Sequence, residues 1–279
     1  MELQYRGITE KDAKALKVLL HRDEDNIGDF LDAVENETEL ITAAYLGTEL
    51  VGVIQLAEDI SCSYLAIFVD PDWRGRGIGS EMLAYAQERL YKFGTESIMT
   101  SFNRNDGGAL RFARKHGFNR NFSSSYMEYT GGRFELEELP VRGYRDDDYI
   151  ESQKLIQKAF YEMNVRVGDF PDAKIEEPNE EEQRDWAENA SGRFVYTENG
   201  RIAGFGHISD NEIEGVAVRS DLQGQGIGRK MTMYLCNQIF DRGYNSVILW
   251  CVTGNYARKL YDSLGFHEKY TAEFARKKI

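Results

Sequence analysis

Two stretches of this chain decide its fold, and each is a near copy of the other. The first is Val69-Asp-Pro-Asp-Trp-Arg-Gly-Arg-Gly-Ile-Gly79, and the second is Val218-Arg-Ser-Asp-Leu-Gln-Gly-Gln-Gly-Ile-Gly228, 149 positions further on. Each follows an apolar, β-branched run and precedes a helical pattern, so we expect each to join a strand to a helix. Because glycines spaced as G-x-G-x-G permit a sharp turn and a close approach of backbone N–H groups to a ligand, both turns are candidate anion sites.

The duplication extends beyond the two turns. Lys115-His-Gly-Phe118 is answered by Ser263-Leu-Gly-Phe266, 148 positions further on. A period this long indicates two domains and excludes a short-period solenoid. We expect the domains to be residues 1–134 and 135–279, joined within Thr130–Glu138.

Composition excludes several classes of protein. The chain has 279 residues, of which 42% are hydrophobic and 29% charged, enough for two domains with their own cores. A net charge of −13 disfavours a phosphate backbone or an anionic membrane as partner, and no apolar run approaches the roughly 18 residues of a membrane span. The start of the chain lacks a signal-peptide pattern, and the three cysteines form no CxxC, so we expect a cytoplasmic protein.

Both halves predict the same order of elements: strand, two helices, hairpin, strand, glycine turn, helix, strand and short helix. Thr9 and Asp12 predict a capping box that starts the first helix, and Asp146 is expected to cap its counterpart, which we expect to end near Phe160. The second helices are expected near Ile27–Asn36 and Glu181–Ala190.

The glycine turns lack the signatures of common nucleotide sites. Neither ends in Gly-Lys-Ser/Thr, as a P-loop does, and neither has the G-x-G-x-x-G spacing of a dinucleotide fold. ATP and NAD are therefore disfavoured. A tight turn without a ligand is the alternative for a single copy, but two copies in the same context favour a phosphate ligand.

These residues resemble the GNAT (GCN5-related) N-acetyltransferases, whose acetyl-CoA turn reads Arg/Gln-x-x-Gly-x-Gly/Ala. Arg74–Gly79 and Gln223–Gly228 both fit, and Asn255–Phe266 is similar to the family's later signature, an Asn and a Tyr-bearing helix before Gly-Phe. The resemblance implies an α/β fold (α+β mixed sheet) of two tandem GNAT acyl-CoA N-acyltransferase domains. Each would be a splayed mixed β-sheet flanked by helices, with acetyl-CoA as cofactor.

In this family the cofactor lies against the glycine turn and against main-chain groups of the preceding strand, as an added strand does on an exposed edge. The resemblance therefore implies these cofactor-binding residues: Ile67, Phe68, Val69, Arg74, Gly75, Arg76, Gly77, Ile78, Gly79 and Ser80 in the first half, and Val216, Ala217, Val218, Gln223, Gly224, Gln225, Gly226, Ile227, Gly228, Arg229 and Asn255 in the second. Capping of the next helix is the alternative role for Asn255.

Tyr261 stands where the family often places its general acid, on the helix before the closing Gly-Phe. A buried core tyrosine is the alternative, because that helix is amphipathic in any case. The 148-residue offset places Ala113 at this point of the first half, which therefore lacks a phenol there.

Glu212 lies six residues before Val218, where some family members carry a carboxylate that removes the proton of the acceptor amine. Period-two alternation predicts that Glu212, Glu214, Val216 and Val218 share one strand face. A solvated Glu212 is the alternative. At the 149-residue offset the first half has Ser63 and Leu65, so it lacks both acids.

Acceptor specificity is expected from the first two helices of the second half and from an acidic surface loop within Gly168–Glu182. The expected walls are Phe160, Tyr161, Met163, Phe170 and Trp186, with charge from Glu176, Glu177 and Glu180–Glu182. The four histidines lack metal-ligand spacing, so no metal is predicted, and His207 is expected to pack or to face solvent.

The sequence therefore predicts an acetyl-CoA-dependent N-acetyltransferase that acetylates the primary amine of a small molecule by direct attack in a ternary complex. Catalysis is expected in residues 135–279, with residues 1–134 degenerate or regulatory. A protein N-terminal or lysine acetyltransferase and a non-catalytic acyl-CoA-binding sensor or interaction module stay open as alternatives. The sequence assigns no oligomeric state.

Overall fold

The computed structural model describes residues 2–26, 30–170 and 173–279, which form two compact units. The N-terminal unit comprises Met1–Ser123 with Ala272–Ile279, and the C-terminal unit comprises Ser124–Thr271. The units thus differ from the consecutive domains 1–134 and 135–279 in their end segments, because a strand belongs to the sheet with which its main chain pairs.

Each unit contains a sheet and the helices that cover it. The strands are β1 (Gln4–Gly7), β2 (Ile41–Leu46), β3 (Glu49–Ala57), β4 (Ser63–Val69), β5 (Ser97–Asn103), β6 (Asn119–Tyr129), β7 (Val141–Gly143), β8 (Arg193–Glu198), β9 (Arg201–Ser209), β10 (Glu212–Val218), β11 (Val247–Val252) and β12 (His267–Lys278). The helices are α1 (Glu10–Leu20), α2 (Phe30–Asn36), α3 (Ile78–Phe93), α4 (Gly107–Lys115), α5 (Tyr149–Val167), α6 (Glu180–Glu188), α7 (Ile227–Asp241) and α8 (Ala257–Leu264).

The two sheets have the same topology. The N-terminal unit has the order β1-β2-β3-β4-β5-β12, and the C-terminal unit has β7-β8-β9-β10-β11-β6. In the first, β4 and β5 are parallel and the other neighbours antiparallel, and in the second the same holds with β10 and β11 as the parallel pair. The predicted mixed sheet in each half is confirmed.

Helices cover both faces of the C-terminal sheet. On one face α7 buries an apolar stripe that includes Met231, Leu235 and Ile239. On the other face, the ring of Trp186 from α6 stacks on Phe205 of β9 at 4.9 Å. Because Trp186 is buried in this core, the expectation that it lines an acceptor site is wrong.

The helix starts follow from local capping chemistry. The predicted capping box at Thr9 is confirmed: its N–H and Oγ1 both donate to Asp12 Oδ2, at 2.9 and 2.7 Å. The expectation that Asp146 starts the next long helix is wrong. Asp148 makes the equivalent contact, accepting the N–H of Arg145 at 2.8 Å, after a 3-10 turn at Asp146–Asp148.

Two helix bounds also differ from expectation. Helix α5 continues past Phe160 to Val167, where Gly168 at φ +80° ends it in the left-handed conformation. Helix α2 begins at Phe30, and residues 27–29 of the predicted range lie outside the described residues. Among the helices of the described chain, none is both long and apolar enough to cross a membrane.

We expect Asp148→Asn to lower the free energy of unfolding by about 2 kcal/mol at neutral pH. Asp148 is buried and accepts two hydrogen bonds from Arg142, at 2.6 and 2.8 Å. The side-chain hydrogen bonds from Arg142 lower the pKa of Asp148. The carboxyl has a pKa of about 4 in the unfolded chain and a lower pKa in the folded protein. The stabilisation is therefore fully present above pH values of about 4, and it is lost as the pH falls through the pKa of the folded protein.

Thermal unfolding at pH 7 and at pH 2 measures this effect, with the exposed neighbour Asp147→Asn as control. The loss of stability caused by Asp148→Asn should be smaller at pH 2 than at pH 7. An equal loss at both pH values would contradict a stabilising role for the ionised Asp148 carboxylate.

Candidate functional site

In the C-terminal unit the two parallel strands part shortly after they begin. Strands β10 and β11 pair at Glu212 with Ile248 and at Ile213 with Leu249, and their described residues make no further pairing with each other. Val216–Val218 therefore has β9 on one side and no strand on the other. An unpaired strand edge accepts an extended ligand through main-chain hydrogen bonds.

The N-terminal unit has the same opening. Strands β4 and β5 pair at Ser63 with Ile98 and at Tyr64 with Met99, the limit of their pairing in the described chain. Ile67–Val69 then runs beside the gap, paired on its other side with β3. Both units thus contain the parted strands that the family resemblance implies.

Each gap ends at a glycine turn that starts a helix. Gly224 and Gly226 have φ values of +77° and +85°, and Gly226 caps α7. The N–H groups of Gly224–Ile227 donate to no acceptor within residues 173–279 or the other described segments. A Cβ at Gly224 or Gly226 would meet nothing within 4 Å, so the turn faces open space. Unpaired N–H groups at the positive end of a helix dipole suit a diphosphate.

The N-terminal turn repeats this geometry with different side chains. Gly75 and Gly77 have φ values of +74° and +89°, and Gly77 caps α3. The first side chain of each turn folds back onto the preceding strand. Arg74 Nε donates to Val69 O at 2.9 Å, and Gln223 Nε2 donates to Val218 O at 3.2 Å. These two side chains therefore hold the turns in place.

Asn255 serves as a cap. Its Oδ1 accepts the N–H of Ala257 at 3.0 Å, at the start of α8. Asp106 makes the matching contacts in the N-terminal unit, accepting the N–H groups of Gly108 and Ala109 at 2.7 and 3.0 Å. The contact of Asn255 with the cofactor stays a prediction.

The parted strands and the open turns fit the predicted acetyl-CoA. The strand edge offers main-chain partners to an amide-bearing arm, and the turn offers N–H donors to a diphosphate. The fit is found in both units, so it does not by itself distinguish them.

The units differ at the strand before the turn. Ile213 is opposite Ile208 and Gly215 is opposite His207, so Glu214 is an extra residue in a β-bulge. Strand β4 pairs with β3 from Tyr64 to Val69 without such a shift. The described N-terminal unit therefore has no counterpart of Glu214.

The bulge corrects two expectations. Ile213 and Val216 both pack toward α7, although they are three residues apart, so Glu212 and Glu214 do not share the face of Val216 and Val218. For the residues that precede the bulge, the two halves of the chain therefore align at an offset of 148 residues instead of 149. This offset matches Leu65 with Ile213. Ser63 and Leu65 are thus not the counterparts of Glu212 and Glu214.

The side chains of His207 and Glu214 make a hydrogen-bonding contact across two strands. His207 Nδ1 lies 2.7 Å from Glu214 Oε2, and the histidine side chain is 22% exposed. The hydrogen bond from His207 lowers the pKa of Glu214, and the charges of His207 and Arg193 act in the same direction. The expectation that His207 merely packs or faces solvent is wrong, because it has a specific carboxylate partner.

Glu212 stands at the closed end of the gap. Its backbone is paired with Ser209 of β9 and with Ile248 of β11, and its side chain is half-buried. Its role in proton removal stays a prediction.

Tyr261 lies on α8 at the edge of the core. Its ring is 5.9 Å from that of Phe266. Burial raises the pKa of Tyr261, so the phenol keeps its proton at neutral pH. Ala113 is buried on α4 at the equivalent point of the N-terminal unit.

The residues expected to bind the acceptor have varied roles. Phe160 is 39% exposed and lies against Gly215, at the bulge. Glu182 accepts the hydroxyl of Tyr149 at 2.7 Å, and the Glu180–Glu182 carboxylates stand in the first turn of α6, where negative charge stabilises a helix. The described residues contain no cluster of three metal-ligating side chains.

Comparison with known proteins gives a consistent result. The model of the acetyltransferase (GNAT) family matches residues 9–118 and 159–266, more than half of the chain. A mycothiol acetyltransferase of Arthrobacter sp. (strain FB24) is 23% identical over 254 residues, which cover 85% of this chain and 76% of that protein. A mycothiol acetyltransferase of Rhodococcus opacus (strain B4) is 27% identical over 226 residues, covering 73% and 70%.

Solved structures share the fold. A GCN5-related N-acetyltransferase from Sphaerobacter thermophilus has a TM-score of 0.71 at 17% identity, covering 99% of this chain and 95% of that chain. A tandem GNAT protein from the clavulanic acid biosynthesis pathway, solved without AcCoA, has a TM-score of 0.68 at 15% identity, covering 99% and 98%.

Proposed function

The chain belongs to the acetyltransferase (GNAT) family and is an acetyl-CoA-dependent N-acetyltransferase, and from that premise we propose that its C-terminal unit acetylates the primary amine of a small molecule. The amine attacks directly in a ternary complex. The observation that carries this assignment is the bulge at Glu214, which stands beside the parted strands in the C-terminal unit and is absent from β4 of the described N-terminal unit.

The cofactor would be held by main-chain groups. The N–H groups of Gly224–Ile227 would bind its diphosphate, and the free edge of Val216–Val218 would pair with its amide-bearing arm. When bound there, the cofactor supplies an acetyl thioester beside the start of β10.

The acids on β10 prepare the acceptor amine for attack. A primary amine is an ammonium ion at neutral pH and becomes a nucleophile only after it loses a proton. Glu212 and Glu214 put negative charge at the closed end of the gap, which attracts the ammonium ion and favours the loss of its proton.

Tyr261 is proposed to protonate the leaving sulfur. Its raised pKa keeps the hydroxyl protonated, and no hydrogen bond within the described residues occupies that hydroxyl. A thiol with a pKa of about 8.5 can also depart as the thiolate. Protonation by Tyr261 therefore accelerates cleavage of the C–S bond but is not strictly required for it.

A small acceptor suits the walls of this site. Phe160 and Ile156 of α5 lie against Gly215. The segment after α5 is held along that helix, since Gln153 Nε2 donates to Glu176 O at 3.0 Å and Glu176 N donates to Gln157 Oε1 at 3.2 Å. An aromatic wall beside a carboxylate favours an amphipathic amine.

The N-terminal unit is proposed to be degenerate or regulatory. It retains the gap and the turn, but it has Ala113 in place of the phenol and an unbulged β4. Its turn is tied to the segment after α1 by Arg22 Nη2 to Asp72 at 2.6 Å and by Arg74 Nη1 to Asp23 at 2.6 Å.

Thiol release with an amine panel tests this function. The panel contains spermidine, kanamycin and leucinamide as small acceptors, together with peptides that offer a free N-terminus or an internal lysine. We expect amine-dependent release of CoA with at least one small acceptor. Turnover confined to the peptides would favour the protein acetyltransferase, and acetyl-CoA binding without turnover on any acceptor would favour the non-catalytic sensor.

A further inference from the structure

The His207–Glu214 pair has the arrangement of a base and the carboxylate that orients it. Because Nδ1 donates to Glu214, neutral His207 carries its lone pair on Nε2. That nitrogen makes no hydrogen bond within residues 2–26, 30–170 and 173–279. The Cδ2 edge of the ring lies beside Gly192, and the side chain is 22% exposed. A proton from a ligand would therefore arrive at Nε2.

The pair depends on the bulge. Gly215 is the residue opposite His207, and the extra residue Glu214 brings a carboxylate within reach of the imidazole. Bulges commonly re-aim a side chain next to an active site. The N-terminal unit has Gln55 opposite Ala66 in the corresponding register, and the amide of Gln55 is not a base.

The charged groups around the pair come from three elements. Arg193 of β8 is opposite His207 and is buried over the ring of Trp186 at 5.2 Å. Asp185 and Glu182 of α6 lie near Arg193, with Asp185 Oδ2 at 3.4 Å from its Nη2. On the α5 side, Gly215 is covered by the uncharged Phe160 and Ile156. Arg193 therefore favours an ionised Glu214.

We propose that His207 is the catalytic residue that takes the proton from the acceptor ammonium, and that Glu214 is a positioning residue acting through it. The inference rests on the proposed function of the C-terminal unit. It differs from the expectation that a glutamate accepts the proton itself or through water.

The proton and bond balance is complete without another reactant. The ammonium gives up two protons as one C–N bond forms and one C–S bond breaks. His207 takes the first proton and releases it to solvent. The second replaces the proton that Tyr261 gives to the departing sulfur, so the products are an amide, a thiol and one proton.

The test is the pH profile of kcat/KM for His207→Gln, with the fastest of spermidine, kanamycin or leucinamide as acceptor. Glutamine is the residue that the N-terminal unit has at this point, so the fold should tolerate it. We expect kcat/KM to fall about 100-fold at pH 7, and the loss to shrink to less than about fivefold near pH 10, where the amine is already neutral. His267→Gln, on an exposed strand position, should match the wild type throughout.

Two further measurements separate a catalytic from a structural role. Glu214→Gln should lower kcat/KM at pH 7 and remove the downfield imidazole N–H signal of His207 from the proton NMR spectrum of the ligand-free protein. Acetyl-CoA affinity by calorimetry should stay within about twofold of the wild type in both variants.

The outcomes are distinguishable. If no amine turns over in the wild type, the proposed function fails and this inference fails with it. If the wild type turns over and His207→Gln keeps its rate at pH 7, or loses the same factor at every pH, His207 is not the proton acceptor and the proposed function stands.

Discussion

Gly226→Val is expected to abolish acetyl-CoA binding by the C-terminal unit. Gly226 has a φ of +85°, a left-handed conformation that a β-branched residue adopts only with strain. A Cβ there meets no protein atom within 4 Å, so the valine side chain would occupy the space above the turn where the diphosphate is expected. Strain and obstruction together should weaken binding at least about 100-fold.

Calorimetry in a Gly77→Val background isolates this effect, because the equivalent turn of the N-terminal unit is then already blocked. Gly77 has a φ of +89° and the same open surroundings. The double variant should bind no acetyl-CoA, whereas Gly77→Val alone should retain one site. Undiminished binding in the double variant would show that the turns are not the diphosphate sites.

Tyr261→Phe is expected to lower kcat about 100-fold while acetyl-CoA affinity is unchanged. Phenylalanine keeps the ring that packs near Phe266 and removes the hydroxyl that is proposed to protonate the leaving sulfur. Because that proton is needed only as the C–S bond breaks, kcat and kcat/KM should fall by the same factor.

Steady-state thiol release checks this prediction, with Tyr256→Phe as the matched control. Tyr256 is 68% exposed at the start of the same helix, and its loss of a hydroxyl should have no effect. A Tyr261→Phe enzyme with wild-type kcat would make Tyr261 a core residue, which is the alternative interpretation of its position.

Local chemistry made most of the architecture predictable from the sequence. The G-x-G-x-G turns predicted a strand before and a helix after, and β4, α3, β10 and α7 occupy those places. The pair Asn199-Gly200 has φ values of 51° and 75°, the conformation that its residue types favour in a tight hairpin. These features depend on a few neighbouring residues, so each half of the duplicated sequence predicts them independently.

The end segments were not predictable in this way. Strand β6 contributes Ser124–Tyr129 to the C-terminal sheet, and β12 contributes Ala272–Lys278 to the N-terminal one. Both strands follow the Gly-Phe pair that ends the matched sequence of each half. Which sheet a strand joins is decided by partners far away in the sequence, and no local pattern encodes that choice.

The elements that form the candidate site were predictable from the sequence, but the register in which β10 pairs with β9 was not. Regular alternation in Glu212–Val218 hides a bulge, because the extra residue does not interrupt the apolar pattern. Matching the apolar residue Leu65 with Ile213, and the small residue Ala66 with Gly215, would have left Glu214 without a counterpart. The contact of His207 with Glu214 then follows from strand pairing, which the sequence of either strand alone does not contain.

Amine-dependent release of CoA by the two single glycine variants, Gly77→Val and Gly226→Val, tests most directly which unit catalyses acetyl transfer. We expect Gly77→Val to keep at least about half of the wild-type rate and Gly226→Val to lose it. Loss of turnover in Gly77→Val with retention in Gly226→Val would contradict catalysis in the C-terminal unit.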